Sequence, residues 1–278
     1  MFGGLSVGEI KDRVNLLAST DRKLQILLSA KYRELADRRI APTMEDIEFR
    51  TFSQNGEDGV LLYILSLIGT TNRKVVEICA ADGIECNSAN LIINHGWKGL
   101  LFDGDAANVE RGRQLYAGLS DTFIRPPIIA QSWITAENVN DEIVRYGFRG
   151  EIDLLSIDVD GNDFWIWKAI ECVQPRVVVL EYNGVWAADR AVTVPYDPNF
   201  RLDFSRVPFY CGASLAAFVA LGRQKGYRLV GCPRTQINAF FVRSDLGAEL
   251  LPEVPASSCL DNCLDYDWGD RPWIDVHE

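Results

Sequence analysis

The sequence predicts an α/β fold, a mostly parallel sheet closed by an antiparallel hairpin and preceded by a helical extension. Three observations point there. Length and composition come first: 278 residues with 47% hydrophobic and 24% charged side chains suit one globular domain with an appendage. Second, short apolar runs recur between helical stretches, as Val75-Val76 with Ile78, Gly99–Phe102, Ile152–Ile157 and Arg176–Leu180. Runs at this spacing mean βαβ units on a parallel sheet. Third, Tyr227–Cys232 and Asn238–Val242 flank a short turn containing Pro233, a connection that only an antiparallel pair allows.

In order along the chain, residues 1–42 form a helical extension. Ile10, Val14, Leu17, Leu24, Leu28 and Leu35 follow a 4-3 alternation interrupted at Asp21 and Lys31. Such a seam packs on another helix, in the same chain or in a second subunit, and makes this segment a candidate homodimer contact. Ala41-Pro42-Thr43 breaks the helix. The main domain spans residues 43–246. It begins with a polar turn, Thr51 to Asp58, that leads into an apolar helix through Leu61, Leu62, Leu65 and Ile68. Lys74–Ala80 is the first strand, and a helix follows Asn87. Gly99–Phe102 is the second strand, ending on Asp103. Ile124–Ala130 is the third; Pro126 and Pro127 make it an edge strand or a late start. Two further strands are joined by a helix rich in Trp and Ile. A helix over Ala213–Arg223 stops at Lys225-Gly226, and the hairpin closes the domain. Residues 247–278 read as an acidic loop or tail carrying Trp268 and Trp273.

The net charge of −11 argues against a general nucleic-acid partner, which presents a basic face. No apolar run has the length to span a bilayer, and the N-terminus lacks a signal-peptide core, so cytoplasm is the expected location. The seven cysteines are scattered in apolar contexts and read as reduced thiols. Cys259, Cys263 and His277 have neither a close Cys-x-x-Cys pair nor a fourth ligand for zinc. His95 reads as a turn residue and His277 as terminal.

Two constellations carry chemistry. Glu77-Ile78-Cys79-Ala80-Ala81-Asp82-Gly83 ends the first strand with small residues that let a ligand approach, and Asp103 closes the next strand where a carboxylate accepts from ribose hydroxyls. A pyrophosphate wants several glycines at a helix N-terminus; this turn offers one glycine and two carboxylates, which suit a sulfonium with an amino group. S-adenosylmethionine is therefore favoured over NAD. The second constellation is Ser156-Ile157-Asp158-Val159-Asp160-Gly161-Asn162-Asp163 at a strand's C-terminal end, with Glu181 and Asn183 ending its neighbour. Oxygen ligands from both strands could converge on one hard cation that lowers the pKa of a substrate hydroxyl. Asp158 could equally cap a helix or contact the cofactor's amino group. Asp158-Val159-Asp160 also resembles the Asp-x-Asp of metal-dependent glycosyltransferases, and with Gly161 the nucleophile loop of aspartate-based phosphatases. The first leaves the Glu77–Asp103 spacing unexplained; the second expects the domain's first strand and Thr or Val where Asn162 stands.

At these residues the chain resembles the FkbM-like methyltransferases, a class I, Rossmann-like family. The matching pieces are Ser53-Gln54-Asn55-Gly56-Glu57-Asp58, the Glu77–Gly83 turn with Ser88 and Asn90, Gly96-Trp97 with Gly99-Leu100, the run Asp153 to Asp163, and Glu181-Tyr182-Asn183. Tyr210, Gly212 to Leu215, Lys225-Gly226-Tyr227 and Asn238 to Phe241 complete the set, in order, over residues 51–246. The resemblance implies an S-adenosylmethionine-dependent O-methyltransferase with a sugar, glycan or secondary-metabolite hydroxyl as acceptor. It implies cofactor contacts from Gln54, Asn55, Glu57, Asp58, Glu77, Ala80, Asp82, Gly83, Ser88, Asn90, Asp103 and Asp158. Asp158 and Asp160 are the candidate catalytic carboxylates. Asp158, Glu181 and Asn183 are the candidate ligands for Mg²⁺ or Mn²⁺, with Asp160 as alternative ligand or base. Two departures stand out: Cys79-Ala80-Ala81 where the family usually shows glycine first, and Phe102-Asp103-Gly104 in place of Glu-Pro. Residues 184–209 are expected to line the acceptor pocket. A degenerate domain serving as a coiled-coil adaptor is the non-catalytic alternative, against which the intact polar set speaks.

Overall fold

A computed structural model describes residues 6–203, 209–260 and 271–276. Helix α1 (Val7–Asp37) opens the chain, followed by a short α2 (Met44–Ile47) and α3 (Glu57–Ile68). The alternating part runs β1 (Lys74–Ile78), α4 (Ala89–His95), β2 (Lys98–Asp103), α5 (Ala106–Gly118) and β3 (Ile128–Gln131). It continues with α6 (Val139–Arg145), β4 (Gly150–Ile157), α7 (Asp163–Ala169) and β5 (Val173–Glu181). The closing part holds β6 (Val192–Thr193), α8 (Leu215–Lys225), β7 (Tyr227–Gly231), β8 (Asn238–Arg243) and β9 (Ile274–Asp275).

Seven strands form one sheet in the order β3-β2-β1-β4-β5-β8-β7. The first five are parallel; β8 inserts antiparallel between β5 and β7. This is the expected Rossmann-like sheet with its closing hairpin. β3 is an edge strand and starts only after Pro127, as the missing N–H groups of Pro126 and Pro127 require.

Successive strand residues feed opposite faces. Val75, Leu101, Leu154, Val177 and Phe240 pack under α1, α3, α4 and α5, while Val76, Phe102, Leu155, Val178 and Phe241 pack under α6, α7 and α8. Burial on both faces is why these runs are continuously apolar. Gly226 ends α8 at φ 82, a left-handed cap that glycine adopts without strain.

The α1 seam divides. A capping box between Ser6 and Glu9 starts the helix, and Ile10, Val14, Ala18, Gln25 and Tyr32 form its buried face. Leu28 packs beside them, but Leu17 and Leu24 are 54% and 59% exposed. A straight helix with 3.6 residues per turn cannot keep a 3.5-residue stripe on one flat domain face. Docking is polar as well as apolar. Gln25 exchanges hydrogen bonds with Asn90 at 2.9 Å, and Arg22 donates to the carbonyls of Ile93 and Asn94.

The segment after residue 247, expected as loop or tail, is partly built into the fold. Leu251 and Cys259 are buried, Val254 N–H donates to the Leu229 carbonyl, and β9 pairs with β6. Cys263, Trp268 and His277 lie outside the described residues. No helix among the described residues is long and apolar enough to cross a membrane.

Candidate functional site

The C-terminal ends of β1, β2 and β4, with the segment after β3, surround a cleft of about 290 Å³. Open α/β sheets bind ligands at this edge. Cys79 forms part of the floor, Asp103 and Gly104 one side, and Asp160 with Asn162 the other. Ser132-Trp133-Ile134 and Phe200-Arg201-Leu202 complete the walls. The two walls are tied together: the Trp133 indole N–H donates to the Pro198 carbonyl at 2.8 Å, and the Arg201 guanidinium lies over its ring at 4.6 Å. Gly161 is needed where it stands, because a Cβ there would run into the Phe200 ring.

Backbone strain concentrates at this edge. Cys79 and Ala81 take φ of 68° and 49°, and Asp160 takes φ of 56°. Left-handed non-glycine residues cost about 1–3 kcal/mol each and persist where the surroundings hold them. At Cys79 the chain thus keeps a glycine-type backbone with a thiol added. That thiol is held protonated, first by desolvation and then by the charges of Asp103, Asp158, Asp160 and Asp163.

Beside the cleft, the carboxylates of Asp158, Asp160 and Glu181 offer oxygens that all lie within 4.8 Å of one another. Burial, followed by the charge of Asp163, raises Asp158 to about 7. Burial, followed by the charge of Asp158, raises Glu181 to about 10. The two are hydrogen-bonded, so the proton belongs to the pair. Asp160 is raised by burial and belongs to both the cluster and the cleft wall. Asp163 has a different task. Its two oxygens accept from the N–H groups of Val159 and Gly161 and fix the β4–α7 turn, while burial lifts it to about 6.

Several expected site residues make hydrogen bonds or ion pairs within the chain. Asp58 accepts from Thr51, Phe52 and Ser53 N–H, and burial raises it to about 6 against those bonds. Glu57 accepts from Asn55 N–H and from the Asn238 amide; Gln54 is exposed. Glu77 accepts from Asn87 and Ser88 N–H, staking the start of α4 to β1. Asp82 pairs with Arg111, Ala80 donates its N–H to the Phe102 carbonyl, and the Gly83 carbonyl accepts from Tyr116. Asn90 belongs to the Gln25–Asn94 network that docks α1. His95 joins that network through Gln25, and burial, then Arg22 and Arg73, lowers it to about 4.

Asn183, expected as a metal ligand, turns its NH₂ to the Phe209 and Cys211 carbonyls and accepts from Val185 N–H. Asp160 stands in the carboxylate group in its place. Asp103 lies where expected, on the cleft, with one oxygen accepting from Asp105 N–H. Trp133 and its neighbours were missed; the one signal was an aromatic residue just past the third strand. Phe200 to Leu202 fall inside the segment expected to line the acceptor pocket.

No family model and no curated sequence matches the chain. Among solved structures it is similar to a putative sarcosine dimethylglycine methyltransferase from Galdieria sulphuraria, at 14% identity, 62% coverage of each chain and a TM-score of 0.41. The chain thus spans about three fifths of that protein's length. It is also similar to the N-terminal domain of EvdMO1 with SAH bound, at 13% identity over 76% of this chain and 94% of that one, TM-score 0.45. An O-methyltransferase from Bacillus cereus in complex with SAH aligns at 14% identity over 66% and 75% of the two chains, TM-score 0.34. Likenesses this remote concern the fold alone and add nothing to what the strand order already establishes.

Proposed function

We propose that this chain is an S-adenosylmethionine-dependent O-methyltransferase acting on a hydroxyl of a sugar, glycan or secondary-metabolite acceptor. The observation that carries the reading is the cleft itself, with Asp103 on one side and a proton-sharing carboxylate cluster reaching its other wall through Asp160. The lining fits the cofactor. Asp103 would accept from a ribose diol, and Trp133 and Ile134 offer apolar area for a purine. Asn162 lines the cleft with its Oδ1 buried and without a partner among the described residues, an acceptor that a bound ammonium or hydroxyl would satisfy.

The cofactor, when bound, supplies an electrophilic methyl group on a sulfonium. What remains for the protein is to position the acceptor oxygen and take its proton. A sugar hydroxyl stays protonated at neutral pH, so a base must stand within reach. Asp158, raised to about 7, is matched to that pH, and Asp160 is the cluster member open to the cleft. Glu181, hydrogen-bonded to Asp158, shares the pair's proton and holds Asp158 in place.

A second reading rests on the 4.8 Å grouping. Asp158, Asp160 and Glu181 would then hold Mg²⁺ or Mn²⁺, and the ion would act as a Lewis acid on the acceptor hydroxyl. Calorimetry with S-adenosylmethionine, NAD and a UDP-sugar tests the class: binding of S-adenosylmethionine alone is expected. Binding of the UDP-sugar instead would move the chain to the glycosyltransferases. Methyl transfer that survives exhaustive EDTA leaves the carboxylates as base, whereas loss restored by Mg²⁺ selects the ion.

A further inference from the structure

A second cavity, of about 520 Å³, lies at the opposite edge of the sheet from the cleft. Arg73 and Trp97 line it where the chain enters β1 and β2. Arg22, Ile26, Ser29 and Arg33 face it from α1 at a 4-3-4 spacing, one stripe of the helix, and α3 and α4 supply the other walls.

The charge of this lining runs against that of the chain. The chain carries 39 acidic and 28 basic side chains, whereas the cavity holds three arginines and one carboxylate, Asp121. Arg22 is committed: it pairs with Asp121 at 2.6 Å and donates to carbonyls in the last turn of α4. Arg33 and Arg73 have no such partner for their guanidiniums among the described residues. Arg73 is held at φ 53°, with its N–H on Asp153 and its carbonyl accepting from Lys98 N–H, so the root of its side chain is fixed. The half-buried His95 ring feels this charge, since after burial it is Arg22 and Arg73 that lower it to about 4. Asn94 adds an independent observation on the same wall. It is 1% exposed and its amide donates to Asn90, but its Oδ1 has no partner among the described residues.

We propose that this cavity binds a phosphorylated small molecule, a phosphate monoester with a hydroxyl-bearing body. Arg33 from α1 and Arg73 from the sheet edge take the phosphate, whose oxygens suit their planar forks. A ligand hydroxyl donates to Asn94 Oδ1, and the carbon skeleton packs on Ile26 and Trp97. The volume falls within the range of about 300–1,000 Å³ usual for small-molecule sites and exceeds what a free ion fills. With one wall from α1 and the other from the domain, the ligand ties the two together, whatever occupies the cleft on the far edge.

Calorimetry on the full chain with ribose 5-phosphate, inorganic phosphate and ribose, at an ionic strength fixed with KCl, tests this. Ribose 5-phosphate is expected to bind, phosphate more weakly and ribose not at all. Arg33→Gln should weaken ribose 5-phosphate about 10-fold through the loss of a charged hydrogen bond. Its melting temperature should hold, because that side chain is exposed. Adding Arg73→Gln should remove the binding, while Asp103→Ala leaves it intact. The chain has two histidines, and the ring signal that His95→Gln removes should be the one that moves in NMR spectra on binding. Absence of binding by either phosphate, or an affinity indifferent to both arginines, overturns the site. Affinity lost in Asp103→Ala instead overturns it too, by placing the ligand in the other cleft. Free phosphate binding as tightly as ribose 5-phosphate overturns the organic ligand.

Discussion

Glu181 ends β5 with its carboxyl hydrogen-bonded to Asp158 and largely removed from water, so the native state holds a proton that the unfolded chain would release. The sign follows directly. A carboxyl raised above its ordinary 4.5 adds its full stability below that pH and loses it as pH rises toward 10. In metal-free buffer Glu181→Gln should therefore melt above wild type at pH 8, by on the order of 1 kcal/mol or roughly 2–4 °C, with no gap at pH 4. A gap of equal size at both pH values would mean that the effect is packing. The same cluster should divide chemistry from binding. Asp160→Asn is expected to lower methyl transfer by about 10²–10⁴ with calorimetric cofactor affinity nearly unchanged. Asp103→Ala should do the opposite, weakening the cofactor by roughly 10-fold or more through the loss of a charged hydrogen-bond acceptor. If Asp160→Asn loses binding as well, the carboxylate serves the cofactor and not the acceptor. Residue types and spacing made Asp158, Asp160 and Asp103 legible, because all three sit at strand ends where the backbone itself fixes position. The surroundings of Asn183 were not legible in the same way, because its amide finds the Phe209 and Cys211 carbonyls, groups more than twenty residues away in sequence.

At the scale of elements, the short acidic motifs build turns more than they touch ligands. Asp58, in the first turn of α3, gathers three N–H groups from Thr51 to Ser53 onto one oxygen. Asp153 also gathers three from within β4, one oxygen accepting from Thr71 N–H and the other from Asn72 and Arg73 N–H, with Arg176 beside it. Asp58 looks like a ligand site in a string of letters, since a carboxylate beside glycine and close to serine serves either purpose. Asp58→Ala would leave buried donors unsatisfied and should cost about 1–3 kcal/mol. Urea unfolding reads this as a lower midpoint with unchanged slope. Loss of cofactor binding at unchanged stability would restore Asp58 to the ligand. Glu77 belongs to the same class: its carboxylate spans from β1 to the start of α4 and so shapes the turn that carries Cys79.

For the molecule as a whole, a ligand that binds only the folded state raises its stability by mass action. S-adenosylmethionine at a hundredfold its dissociation constant should add about 2.7 kcal/mol, a rise of roughly 5–10 °C in melting temperature, while NAD should leave it unmoved. A shift with NAD alone would put a dinucleotide in the cleft. Local free energies write themselves into sequence, which is why so much of the architecture was legible. Short apolar runs marked the strands, Pro126-Pro127 delayed the third, Gly226 stopped α8, and the short link at Pro233 forced the antiparallel hairpin. The clustering of Asp158, Asp160 and Asp163 was equally open to reading, because one turn holds all of them. Tertiary structure alone decided which oxygens stay available. Asp58, Glu77 and Asn90 bond to backbone or to α1, Asp160 joins Glu181 across two strands, and Trp133 meets Pro198 and Arg201 beside the cleft. It also split the α1 seam into a docked face and an exposed one. Periodicity and turn chemistry act between near neighbours, whereas a hydrogen-bond partner or a helix's covered face depends on groups that only the completed fold brings within a few ångströms.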